Sequence, residues 1–231
     1  MTELLSQSES FGVVITLAMY LLAVLINRRF PNPFTTPLFL ATVFVILVLV
    51  SFRVPYASYN ASAKYITYLL MPVTVCFAVP MYRHLPLLRR YSWSILLGVL
   101  LGVIGSVLTV VLICILFGLG DMIARSLVAI SVTTAIAVDI TEKLGGVIAL
   151  TVSSVIVTGI LGASVSEWLC RKIGITNPIA RGLAIGNASH AAGTSRAMQI
   201  SPQDGAASSL AIVLSGILTA IIAPLAISLY F

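Results

Sequence analysis

Five stretches of the chain, at about 11–26, 35–52, 92–117, 145–168 and 205–230, are almost wholly apolar, and each is bounded by Arg, Pro or Asp. A helix needs about 20 mostly apolar residues to cross a bilayer. Within hydrocarbon, only a backbone that satisfies its own hydrogen bonds survives. These runs therefore commit the chain to membrane-crossing helices. Composition agrees: of 231 residues, 59% are hydrophobic and 9% charged, against roughly 25% charged in a soluble domain. The expectation is an all-α integral membrane protein, a polytopic helical bundle forming one domain over 1–231, with the lipid bilayer as its first partner. The net charge of +6 does not point to nucleic acid, because the basic residues are scattered in short loops, as the positive-inside rule requires. Glu3 and Glu9 occur before the first basic residue, which argues against a cleaved leader and for a retained first helix. Cys76, Cys114 and Cys170 lie in or beside apolar runs without metal-type spacing and read as packing residues.

Three segments are less regular: 64–83, with Pro72 and Pro80 inside it, 122–139 and 178–198. The last two are polar at their centres. One reading of 122–139 is an ordinary helix whose Ser and Thr bond back to the preceding turn. The other is a broken or re-entrant segment, tolerated only where protein or a water-filled cavity surrounds it. Charge favours the second. Arg28 and Arg29, then Arg83, Arg89 and Arg90, then Arg171 and Lys172 follow successive segments. All three clusters fall on one side of the membrane only if 122–139 enters and leaves by the same face.

The chain also repeats itself. Ile123-Ala124-Arg125 recurs as Ile179-Ala180-Arg181, 56 positions later, and IVTGILGA (156–163) recurs as VLSGILTA (213–220), 57 positions later. A polar-centred segment followed by a long helix thus occurs twice. If each unit crosses an odd number of times, the copies are inverted, the pattern of secondary transporters with broken helices.

Chemistry concentrates between Gly186 and Arg196. On a continuous helix Asn187, His190 and Thr194 would share one face. Ionisable residues at membrane depth are costly and face a cavity or a partner. His190 changes charge near neutral pH, Arg196 carries a planar fork suited to a carboxylate, Ser189 adds a hydroxyl, and Gly186 and Gly193 would let the backbone unwind. A short amphipathic surface loop is the alternative. In the first copy Ser131, Thr133 and Thr134 match this stretch, Ser131 aligning with Asn187 and Thr134 with His190. They would bind an anion near helix starts, or simply bond between helices. Asp139 is a second proton-carrying candidate beside His190, with a solvated loop as its alternative. Asp204 reads as a first-turn acid. There is no HExxH, P-loop or nucleophile elbow, so no catalytic residue, cofactor or metal ligand is assigned.

The motifs SVTTAIAV (131–138), ARGLAIGNASHAAGTSRA (180–197) and DGAASSLA (204–211), with Val75 to Tyr82 and Asn32-Pro33, resemble the LrgB/CidB family of bacterial membrane proteins over nearly the whole chain. The GNASH form is closer to CidB-type members, whereas many members carry Pro where this chain has Ala135. The resemblance implies a multi-pass protein of the bacterial cell membrane with a cation/proton antiporter-like fold. It further implies holin- or antiholin-like control of murein hydrolase activity and lysis beside an LrgA/CidA-type membrane protein, acting as a homo-oligomer. Relatives are associated with small carboxylates such as pyruvate, glycolate and glycerate. The expected function is secondary transport of a small monocarboxylate, a small organic anion. Asn187, Ser189, Thr194, Arg196, Ser131, Thr133 and Thr134 would bind it, and His190 or Asp139 would couple protons.

Overall fold

The computed structural model describes residues 10–230, so Glu3 and Glu9 lie outside it. The described residues hold helices and no strand. They form two compact units, the first ending at Cys76 and the second beginning at Phe77.

In the first unit, α1 (Phe11–Arg29) is followed by a 3-10 turn at Pro33–Thr35, α2 (Pro37–Ser51), α3 (Tyr56–Tyr68) and α4 (Leu70–Cys76). Asn32 and Thr35 form a reciprocal capping box, and Thr35 Oγ1 donates to the Phe30 carbonyl at 2.5 Å. Pro37 then opens α2 at a first-turn position, where its missing N–H costs nothing. α1 packs closely on α3: the Gly12 N–H donates to Ser62 Oγ at 2.7 Å, and a Cβ at Gly12 would strike Tyr59 and Ala63 backbone.

The second unit opens with two short helices, α5 (Ala78–Arg83) and α6 (Leu85–Arg90), and then α7 (Ser92–Leu116). α7 buries Ile95, Val99, Val103, Val107, Val110 and Cys114, a stripe at three- and four-residue spacing. Next come α8 (Asp121–Leu127), α9 (Thr134–Leu144), α10 (Ile148–Lys172), α11 (Pro178–Ile200) and α12 (Pro202–Tyr230). Helices α1, α7, α10 and α12 are long and apolar enough to cross a membrane; α2 is apolar but shorter. The five apolar runs of the sequence correspond to these five helices.

Burial is the reverse of what water would select. Asp204, His190, Ser189, Thr194 and Thr219 are buried, while Leu101, Leu108, Leu116, Ile217 and Leu229 are exposed. Continuous apolar surface of this kind is stable only against lipid or protein.

The segment 121–144 is a re-entrant hairpin. α8 leads in, residues 128–133 are not helical, and α9 leads back. The two arms meet at their mouth: Arg125 donates to the Leu144 carbonyl at 2.9 Å, and Ser126 Oγ accepts from the Val147 N–H at 2.7 Å. Thr151 Oγ1, at the start of α10, bonds the Ser126 carbonyl at 2.8 Å and Thr141 Oγ1 at 2.9 Å. Residues 125–126 and 141–151 therefore lie at one level, and the chain between them has gone in and returned.

α11 does the same from the other end. His190 leaves helical geometry, with φ 39° and ψ −131°. Before it, Gly182 lies on Asp204 and Gly186 on Ser208, so this arm runs alongside the start of α12 in the same direction. After it, Thr194 meets Ser208 at 2.6 Å and Met198 meets Gly205, so the second arm runs back. His190 reaches Val155 and Gly159, the middle of α10, whereas Arg196 meets Glu167 near its end. The hairpins thus enter at opposite ends of α10. α12 starts beside the mouth of the second and passes α9 at Gly216, which faces Ile136. The two copies of the repeat are inverted.

Candidate functional site

The two hairpin tips bury Ser131 on one side and Ser189 and His190 on the other, with Thr133, Thr134 and Asn187 beside them. α9 begins at Thr133, whose backbone is extended (φ −64°, ψ 150°) and whose hydroxyl caps no N–H. The first four N–H groups of a helix lack partners within it, so the start of α9 presents a partial positive charge at the tip. Ser131 is buried there, Thr133 and Thr134 are half-buried, and Asp139, a turn further along α9, is exposed. At the second tip the helix restarts after His190 and aims a second N-terminus inward. Ser131 Oγ, Asn187 Oδ1, Ser189 Oγ and Thr219 Oγ1 are buried without a protein partner. Orphaned polar atoms at this density are unusual in a native interior and mark where a polar ligand or water is bonded.

The break at His190 corrects the sequence-based arrangement. Asn187, His190 and Thr194 do not share a face. Because the chain reverses between them, each meets a different helix. Asn187 packs its amide against Gly102 of α7. His190 Nε2 lies 3.1 Å from the Val155 carbonyl on α10. Thr194 bonds Ser208 on α12. A carbonyl only accepts, so Nε2 carries the proton of the neutral ring and Nδ1 is left as the acceptor. The unwinding is also not at a glycine. Gly186 and Gly193 stay helical and serve close approach, Gly186 to Ser208 and Gly193 to Ile185 and Ser189 across the hairpin. A histidine with φ near +40° is strained by about 1–3 kcal/mol and persists only where its surroundings fix it.

Room for the tip comes from α10. A Cβ at Gly159 would lie 2.5 Å from His190 Cε1, and one at Gly162 would overlap Ser189 Oγ. Their repeat partners on α12 are Gly216, whose Cβ would meet Ile136 Cδ1 at 2.8 Å, and Thr219. Neither Gly159 nor Gly162 is singled out by sequence reasoning, yet both stand inside the repeated octapeptide, where the shared Ser/Thr-Gly-Ile-Leu core was the available signal.

Ion pairs surround the mouth of the second hairpin. Asp204 is fully buried and takes a two-pronged fork from Arg181, at 2.7 Å to each oxygen, with Ser201 Oγ at 2.5 Å. It is more than a first-turn acid: it ties the first arm of α11 to α12. Arg196 does not reach the tip. It donates to Glu167 at 2.6 Å and to Gln199 at 2.9 Å, and Glu167 also accepts from Arg171 at 2.7 Å. The Arg196 and Glu167 side chains are 31% and 24% exposed, a setting in which an ion pair is worth about 0–1 kcal/mol. The fork suited to a carboxylate is thus already occupied by one of the protein's own. Among the described residues no group of three or more His, Cys, Asp or Glu side chains is placed to hold a metal.

The model of the LrgB-like family matches residues 16–229. The chain is 37% identical over 217 residues to the uncharacterized protein YwbG of Bacillus subtilis (strain 168), covering 94% of this chain and 96% of that one. It is 32% identical over 216 residues to the antiholin-like protein LrgB of Bacillus cereus (strain B4264), covering 93% and 94%. The antiholin-like protein LrgB of Bacillus anthracis (strain CDC 684 / NRRL 3495) gives the same figures. No solved structure matches.

Proposed function

The chain belongs to the LrgB-like family of membrane proteins, and from that premise we propose that it is a secondary transporter of small monocarboxylates of the pyruvate or glycolate type, resident in the bacterial cell membrane. The observation that carries this reading is the pair of re-entrant hairpins that enter from opposite ends of α10 and bring unpartnered polar atoms to the interior. Two half-helix N-termini at mid-depth favour an anion. Inverted repeats around such a site are the structural basis of alternating access. Ser131, Thr133, Thr134, Asn187 and Ser189 hydrogen-bond the solute at the tips, Thr194 supports the second tip through Ser208, and Arg196 attracts the carboxylate at the mouth. His190 couples protons through its acceptor nitrogen, with Asp139 as the second proton-carrying candidate.

The test is uptake of labelled pyruvate and glycolate by proteoliposomes under imposed proton gradients. Wild type accumulates at least one of them, and His190→Ala loses most of the proton-driven component, about 10²-fold where a general acid–base group is removed. A folded wild type that takes up neither solute under any gradient eliminates the transport reading.

The names of the relatives favour a second reading. In it the chain is an antiholin-like regulator of murein hydrolase activity and lysis that works as a homo-oligomer with an LrgA/CidA-type membrane protein. This reading needs helix-packing surfaces and not the chemistry of the tips. Lysis phenotypes on co-expression would then survive His190→Ala, whereas they would track uptake if transport were the primary activity.

A further inference from the structure

The mouth of the second hairpin holds two ion pairs of opposite character. Asp204 is buried, is gripped by both prongs of Arg181 and has a third bond from Ser201. Nothing in that arrangement can exchange without leaving a buried charge alone. Glu167 differs in each respect. It is partly exposed, it divides its oxygens between Arg171 and Arg196, and Arg171 is 77% exposed and makes an ordinary i,i+4 pair along α10. The geometry around Arg196 is a carboxylate seated on a guanidinium at the open end of a hairpin whose tip is lined with unpartnered polar atoms.

We infer that Glu167 is an internal competitor for the transported carboxylate: it holds Arg196 in the substrate-free protein and yields it when a solute carboxylate arrives. The inference rests on the transport reading only in naming the solute; the occupancy of Arg196 by Glu167 stands on its own geometry. Arg171 and Arg196 share the single carboxylate of Glu167, so the cluster carries an excess positive charge that the arriving monoanion neutralises, and the anion finds a guanidinium that is already positioned. When Arg196 is released, Glu167 keeps Arg171 as its partner and is not left unpaired. Arg171 is what makes the exchange feasible. Glu167 also disfavours a solute with a second negative charge, since that charge would sit beside it once Arg196 is shared. It therefore acts as a positioning and specificity-determining residue for monoanions.

Two readouts separate this inference from the transport reading. In proteoliposomes, Glu167→Gln lowers the KM for pyruvate about two- to five-fold, the range that removal of a partly exposed competing pair allows, and raises relative uptake of a dicarboxylate such as malonate. Arg196→Gln raises the KM, and adding Glu167→Gln to it produces no further change. The second readout does not need transport. Trp168 adjoins Glu167, and the chain has 2 tryptophans. In a Trp93→Phe background, its fluorescence reports saturable binding of acetate or pyruvate in detergent, tighter in Glu167→Gln and absent in Arg196→Gln. If liposomes show no uptake but the fluorescence titration behaves as stated, the inference holds and the transport reading falls. If wild type transports and Glu167→Gln leaves both KM and titration unchanged, the inference is overturned while the transport reading stands. A fall in kcat with unchanged KM also overturns it, because that is the mark of a structural strap. Glu167→Ala, checked for monodispersity, repeats the test should the glutamine side chain bond Arg196 in place of the acid.

Discussion

At His190 the backbone, the imidazole and the opposing helix are fixed by one another. The ring reaches α10 only because residue 159 has no side chain: a Cβ there would stand 2.5 Å from Cε1 and 2.8 Å from Nε2. Such distances do not occur between real atoms, so Gly159→Ala must move the imidazole away from the Val155 carbonyl or shift α10. The expected cost is about 1–3 kcal/mol, the range for overpacking, read as a lower melting temperature in detergent together with a steep loss of uptake. Gly216→Ala is the internal control. It occupies the matching place in the other repeat, but its Cβ would meet only Ile136 Cδ1, at 2.8 Å, the tip of a flexible side chain that can rotate aside. A small effect at 216 beside a large one at 159 is expected; equal effects would mean that the two tips are packed alike and that the imidazole is not the obstacle. At this scale the sequence was partly legible. Its repeat and its GNASH stretch marked the two hairpin tips, because polar residues in an apolar chain stand out. It did not reveal which helix each residue meets, because the face assignment assumed an unbroken helix. The deviation sits at a histidine, a residue with no conformational reason to break a helix, and is imposed by the surroundings.

At the scale of elements, each hairpin is held at its mouth by different chemistry. The first is closed by hydroxyls, with Thr151 Oγ1 joined to Thr141 Oγ1 and to the Ser126 carbonyl. Thr151→Val keeps the shape and removes those bonds, leaving buried acceptors unpaired, and is expected to destabilise by about 1–3 kcal/mol. The second is closed by Arg181 and Asp204. Asp204→Asn leaves the guanidinium facing a neutral amide and is expected to destabilise by about 2–4 kcal/mol, since one partner of a largely buried pair is lost. Glu167→Gln, at a partly exposed pair, is expected to change stability by less than about 1 kcal/mol. Thermal melts of the three purified variants check the order, and an Asp204→Asn protein as stable as wild type would remove the strap assigned to that pair. The helices themselves were legible because their runs exceed the span of a bilayer. The pairing of Arg181 with Asp204 was not, since nothing in local spacing announces a contact between residues 23 positions apart.

For the second unit as a whole, the decisive property is sidedness. The charge pattern demanded that 122–139 return to the face it left, and the contacts of Ser126 with Val147 and of Arg125 with Leu144 fulfil that demand. The groove lined by Tyr91, Ser94, Asn177 and Ile179 joins the start of α7 to the start of α11. Arg89 and Arg90, just before α7, therefore lie at the same end as Arg171 and Lys172, as the positive-inside rule asks. Lys143 stands in the last turn of α9, the return arm of the first hairpin, and lies at the other end, next to Leu144. A chain with 3 cysteines needs Cys76, Cys114 and Cys170 replaced before labelling. In that background cysteines at 90 and 172 should react with a membrane-impermeant maleimide from the same side of intact cells or right-side-out vesicles, and one at 143 from the other, because α7 and α10 both cross. Reaction of 90 and 172 from opposite sides would turn 121–144 into a simple crossing and abolish the inversion of the repeats. With the inversion would go the argument for alternating access, because only copies that enter from opposite faces can exchange roles when one opens and the other closes. Cysteines at 131 and 189, at the two tips, extend the same measurement: in a transporting protein their labelling should respond in opposite directions to a saturating solute, whichever side the reagent is on.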